Sequence, residues 1–131
     1  MADKKDIATI EDVRILVDDF YTDVRADPLF GDIFNNILEH RWPQHLEKMY
    51  RFWQTVLLEE HTYQGSPFLP HAKMPLDTTH FSAWVSLWHR IVDKHFAGER
   101  AEEAKWRGNK MAVMFLSKIE YYREHPATPL L

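Results

Sequence analysis

A chain of 131 residues with 45% hydrophobic and 14% aromatic content carries enough apolar material for one sizeable core and too little length for a second. Its net charge is −4, with acidic and basic residues interspersed and no block of Lys or Arg, which argues against nucleic acid as a partner. The absence of cysteine removes disulfides, thiolate nucleophiles, Cys-containing zinc sites and thioether attachment of a prosthetic group.

The N-terminal MADKKDIATIED holds no apolar run of signal-peptide type. No stretch approaches the roughly 18 apolar residues of a membrane span, so a cytoplasmic protein without a membrane partner is expected. Thr9 followed by Glu11 and Asp12 reads as a helix start, and Val13, Leu16, Val17, Phe20 and Val24 recur at helical spacing until Pro28 limits the helix to about residue 26. Residues 28–38 repeat Phe30, Ile33, Phe34, Ile37 and Leu38, but Gly31 and the pair Asn35 and Asn36 predict a short or irregular helix. A third helix begins near Trp42, with Pro43 suited to its first turn, and runs to about Leu58 with a broad apolar face through Leu46, Met49, Tyr50, Trp53, Val56 and Leu57.

Periodicity then stops over residues 59–75, where Gly65, Pro67, Pro70 and Pro75 fall within eleven residues and make the longest non-helical connection in the chain. Asp77 or Thr78 caps a fourth helix with Phe81, Trp84, Val85, Trp88, Ile91, Val92 and His95 on one face and Gly98 at its end. The last helix covers 99–123, with Ala104, Gly108, Met111, Ala112, Phe115, Ile119 and Tyr122 inward. Pro126 marks an irregular tail over 124–131. The expectation is a single all-α domain over 1–131 with its ordered core at about 7–123, and no strand pattern or internal repeat.

Five Trp and eight Phe suit either a thick core or the walls of a pocket for a flat apolar ligand, and composition does not separate the two. Of eight His, most must be solvated or structural. His71 sits in FLPHAKMP, a Pro-bounded loop where a rigid backbone can aim it inward, although a lone loop His is more often solvated than a ligand. Tyr21 reads as a core-edge residue, Trp84 as core, and His45 as a first-turn residue on the side of the apolar stripe. Each ordinary role is favoured singly, and only the set of four points to a site.

The segments FYTDVRADPLFGDIF, RWPQHLEKMYRFW, LLEEHTYQGSPFLPHAKMP and HFSAWVSLW, in this order and at these separations, resemble a group III truncated haemoglobin. The resemblance runs from about Ile7 to Met114, and its most specific part is the run from Tyr63 through His71 to Trp84. It implies a truncated globin, a two-over-two helical sandwich around haem b, held non-covalently since no cysteine is present. On this pattern His71 matches the proximal iron ligand, and Tyr21, His45 and Trp84 match the distal polar residues. Phe20 and Phe34 match pocket aromatics, with Met49 and Trp53 as further pocket wall. His71 matches the motif where His80 does not, and Lys48, Arg51, Lys73 and His80 are the candidate propionate partners.

The implied ligand is a diatomic gas, O₂ or else NO or CO, at a five-coordinate iron in a monomer. A redox role, nitric oxide oxidation or a peroxidase-like reaction with His45 moving protons, would add a reductase as partner. Two alternatives from other classes stand beside this: a non-haem metalloprotein using several His, weakened by the lack of HExxH spacing, and a cofactor-free helical interaction module.

Overall fold

The computed structural model of the chain describes residues 4–63, 68, 71 and 74–125. Among these residues there are five α-helices and no strand: α1 (Ile10–Ala26), α2 (Gly31–Leu38), α3 (Trp42–Leu58), α4 (Thr78–His95) and α5 (Glu99–Glu124), with one 3-10 turn, Glu39–Arg41, ahead of α3. The segment expected to be short or irregular is short and regular, eight residues of α-helix. The last helix extends one residue past its expected end, and residues 126–131 of the expected tail lie outside the described residues.

Local chemistry explains where the helices start. Thr9 Oγ1 accepts the Asp12 N–H at 3.3 Å, and Asp12 Oδ2 accepts the N–H groups of Ala8 and Thr9 at 2.9 and 3.1 Å, so a reciprocal box caps α1. Asp77 caps α4 by accepting from Thr79 and His80 at 2.9 and 3.3 Å. Gly98 does not end α4 as expected. That helix stops at His95, where the N–H of Phe96 bonds Val92, and Gly98 instead precedes the first turn of α5 at φ 137°, a conformation L side chains rarely adopt. Having no side chain to cap with, it leaves that task to Asp6, whose two carboxylate oxygens accept the N–H groups of Arg100 and Ala101 at 2.9 Å each.

The helices form two pairs, α1 with α3 and α4 with α5, joined through contacts of α1 with α4 and α3 with α5. The tightest seam is α4 against α5, where Trp88 lies close against Ala104 and Gly108, two of the small residues that α5 buries with Ala101 and Ala112. A Cβ at Gly108 would stand 2.6 Å from the Trp88 ring, and the indole N–H donates to Ala104 O at 2.9 Å. Val13, Leu16, Val17, Phe20 and Val24 fill the interior from α1, essentially without exposure, as their spacing predicts.

Three carboxylates tie this frame together and make it acid-sensitive. At Asp6 and Asp12, burial opposes the charged form but is outweighed: at Asp6 by the N–H groups of Arg100, Ala101 and Ile7, and at Asp12 by Lys5 and the N–H groups of Ala8 and Thr9. At Asp19, hydrogen bonds from Lys94 and His95 hold the carboxyl below its ordinary value. A carboxyl whose folded pKa lies below its unfolded value of about 4 stabilises the fold above that pH, and the contribution is lost as pH falls through the folded value. Melting temperature should therefore drop steadily below about pH 4. Asp6→Ala should cost about 1–2 kcal/mol at pH 7 and flatten that acid limb, measured by urea melts at pH 7 and pH 3.

Candidate functional site

Between the two helix pairs lies a cleft walled almost wholly by aromatic and other apolar side chains with a few polar groups among them, the lining expected of a site for a small organic ligand. Of the residues singled out from sequence, Phe20, Tyr21, Phe34, Met49, Trp53, His71 and Trp84 all line it. They come from α1, α2, α3, α4 and the long connection, so only the packed chain brings them together.

His71 is carried by the connection and placed by α5. Phe68 is 3% exposed and packs on Phe115 and Tyr122 at 5.6 and 6.2 Å between ring centroids. From that anchor the His71 N–H bonds Phe68 O at 2.8 Å, and the Met74 N–H bonds His71 O at 3.1 Å. Arg123 then secures the end of the connection by donating to Met74 O and Leu76 O at 3.2 and 2.7 Å. The imidazole of His71 stands 5.0 Å from the ring of Phe115, on the α5 side of the cleft.

Tyr21, His45 and Trp42 form a triangle of edge-to-face rings where α1 meets α3: Tyr21 to His45 is 5.0 Å, Tyr21 to Trp42 5.9 Å and Trp42 to His45 5.8 Å. His45 is not among the side chains lining the cleft. It stands beside Tyr21, and among the described residues its buried Nε2 has no hydrogen-bond partner. Burial first, and then smaller electrostatic contributions from His71 and Lys48, push its pKa down to about 4, so the ring is neutral at pH 7. Burial likewise raises the Tyr21 hydroxyl above its ordinary value, keeping it a protonated donor. Trp84 stacks on Trp88 at 6.1 Å and 9°, and Phe20 meets both indoles edge-on at 5.6 and 5.1 Å.

His80 also lines the cleft, but its Nδ1 is engaged in the α4 cap, 3.2 Å from Asp77 N and 3.0 Å from Asp77 Oδ1. Of the other cations named from sequence, Arg51 pairs with Glu47 at 3.0 Å, Lys48 is exposed, and Lys73 lies outside the described residues. Trp88, Phe81, Met111 and Phe115 were legible only as core, yet they are also cleft wall. In the sequence Trp42 carries the signal of a helix start alone, and nothing in its spacing marks its place in the ring triangle. Among the described residues, no three His, Asp or Glu side chains are grouped to hold a metal ion, and no helix is long and apolar enough to cross a membrane.

Comparison with known proteins gives this geometry a context. The chain is similar to the group 3 truncated hemoglobin of Campylobacter jejuni, 29% identical over 119 residues covering 88% of this chain and 94% of that protein. The crystal structure of a group III truncated hemoglobin from the same organism matches with a TM-score of 0.80 at 28% identity, covering 88% of this chain and 94% of that one. The truncated-globin fold is thus shared over most of both chains. A family model described as bacterial-like globin matches residues 5–116, and the chain belongs to that family.

Proposed function

We propose that the cleft holds one haem b without covalent attachment, bound at its iron by His71, and that the protein retains a diatomic gas, O₂ first, beside Tyr21 and Trp84. The observation that carries this reading is that one aromatic cleft is lined by an imidazole packed on α5 and by the Tyr21 and Trp84 side chains of α1 and α4. The residues fit the group: aromatic walls suit a porphyrin, and the same lining carries an imidazole, a phenol hydroxyl and an indole N–H, the donor set that a haem and a bound gas require. Haem would supply a redox-active iron with one position open to a gas.

The chain's own residues do the rest. Neutral His71 binds metal through one ring nitrogen, and whatever accepts from the other sets its basicity. Tyr21 O–H and Trp84 N–H serve as donors, since neither donates to a protein acceptor among the described residues. Phe20, Phe34, Met49 and Trp53 exclude water, which strengthens every donor inside. Two donors to a partly negative ligand slow its departure, which suits capture, sensing or redox chemistry better than delivery. Oxidation of nitric oxide by retained O₂ would be one such reaction and a peroxidase-like one another, and a reductase would then be needed to renew the reduced cofactor.

Titrating the haem-free protein with haemin tests the reading. A Soret band saturating at one haem per chain is expected, with melting raised by roughly 10 °C at a thousandfold excess over Kd. No saturable band, or equal melting with and without haemin, would leave the cofactor-free module as the better account.

A further inference from the structure

Trp42 opens α3, is 4% exposed, and is held from outside the cleft by two residues that do not line it. Its indole N–H donates to Asn35 Oδ1 of α2 at 3.2 Å, and the Arg25 guanidinium at the end of α1 lies 4.5 Å from its ring centroid. Arg25 and Asn35 are themselves exposed. Inward, the same ring touches Tyr21, His45 and Phe34, at 5.9, 5.8 and 6.5 Å. Every contact that orients the His45 ring edge-on is made to Trp42 or to Tyr21, and the latter ring in turn rests on Trp42.

We propose that Trp42, clamped by Arg25 and Asn35, is the positioning residue that aims the Tyr21 hydroxyl and holds the His45 ring beside it, and so sets how strongly the protein prefers O₂ over CO. The inference rests on the haem reading above and deepens it. An edge-to-face triangle has a definite geometry because ring edges are positive and faces negative, so turning one indole displaces both neighbours. A hydrogen bond on one side and a cation over the face on the other leave the Trp42 ring one orientation. The Tyr21 hydroxyl carries the whole effect of such a displacement. A donor interaction weakens steeply with angle, whereas apolar filling of the cleft by the same ring hardly changes.

Three variants separate positioning from bulk stability: Asn35→Ala and Arg25→Met at the surface, and Trp42→Phe, which keeps a ring but loses the N–H. Substitutions at exposed positions ordinarily leave stability almost unchanged, so a functional effect from the first two is diagnostic. Haem loading is read first, from the Soret band. In the CO-loaded protein the C–O stretching band, which reports the donors around the gas, should shift or split in all three variants. O₂ release should speed up by about two- to tenfold, the size of one ring contact, with CO release within about twofold of the unmodified protein. Combining Asn35→Ala with Trp42→Phe should add nothing to Trp42→Phe alone, because both remove the same bond.

Should Trp42→Phe fail to load haem, the two surface variants decide alone. A normal Soret band with an unchanged C–O band and O₂/CO ratio in Asn35→Ala and Arg25→Met would overturn the clamp while leaving the haem reading intact. A missing Soret band in the unmodified protein would overturn both.

Discussion

Replacing His71 by alanine is expected to abolish the five-coordinate ferrous spectrum and weaken haem retention by about a hundredfold or more, since even an outer partner of a metal-bound His is worth 10–100-fold. His80→Ala should keep the spectrum, because the Nδ1 of that residue belongs to the α4 cap. Its loss should cost only about 0.5–2 kcal/mol of stability, the range of a helix cap. The contrast isolates ligation from general damage, as both side chains line the cleft. Exogenous imidazole should partly restore the His71→Ala spectrum by occupying the vacated volume. Ferrous spectra of the two purified variants, with and without imidazole, measure all of this, and a five-coordinate spectrum in His71→Ala without imidazole would end the assignment.

The second large effect is expected on gas release. If Tyr21 and Trp84 both donate to a partly negative O₂, each bond is worth about 1.5–3 kcal/mol, and Tyr21→Phe or Trp84→Phe should speed O₂ release by roughly tenfold or more. CO carries little negative charge and should respond far less. The ring of Tyr21 packs against Phe20 and Trp42, so phenylalanine retains the wall and removes only the hydroxyl. Trp84→Phe is less conservative because it also shortens the stack on Trp88, and for that reason the CO control matters most there. Because the donors share one acceptor, the double variant should depart from additivity. Stopped-flow release of both gases from the four proteins provides the measurement. Equal acceleration of O₂ and CO would mean the substitutions act by opening space.

The helices were legible from the chain because their causes are local. Thr9 with Asp12 and Asp77 with its N3 partner form caps within one turn, and the stripe from Val13 to Val24 reports its own burial through a spacing of three and four. The cleft residues were legible less directly. Periodicity marks Tyr21, Trp53 and Trp84 as inward, but nothing in it distinguishes a packed core from a lined cleft, and His71 lies where periodicity is silent. Those residues were singled out as a set only through the resemblance of the whole motif order.

What tertiary structure decided is what depends on partners distant in sequence. Gly98 looks like a helix stop by its neighbours, yet its positive φ serves the start of α5, where the missing cap arrives from Asp6, 94 residues before the bonded Arg100. Trp42 looks like a helix start, yet it joins α1, α2 and α3 because Arg25, Asn35, Tyr21 and His45 meet at one indole. His45 points along the apolar stripe of α3 in any helical projection, but whether it enters the cleft or stands beside Tyr21 depends on the ring packed next to it. The sequence by itself determined the helices, their inner faces and the cast of polar residues, since these follow from backbone hydrogen bonding and side-chain spacing within a few turns. Only packing determined which of them share a cavity, because a side chain's neighbours across a cleft are set by the summed contacts of whole helices and not by its place in the chain.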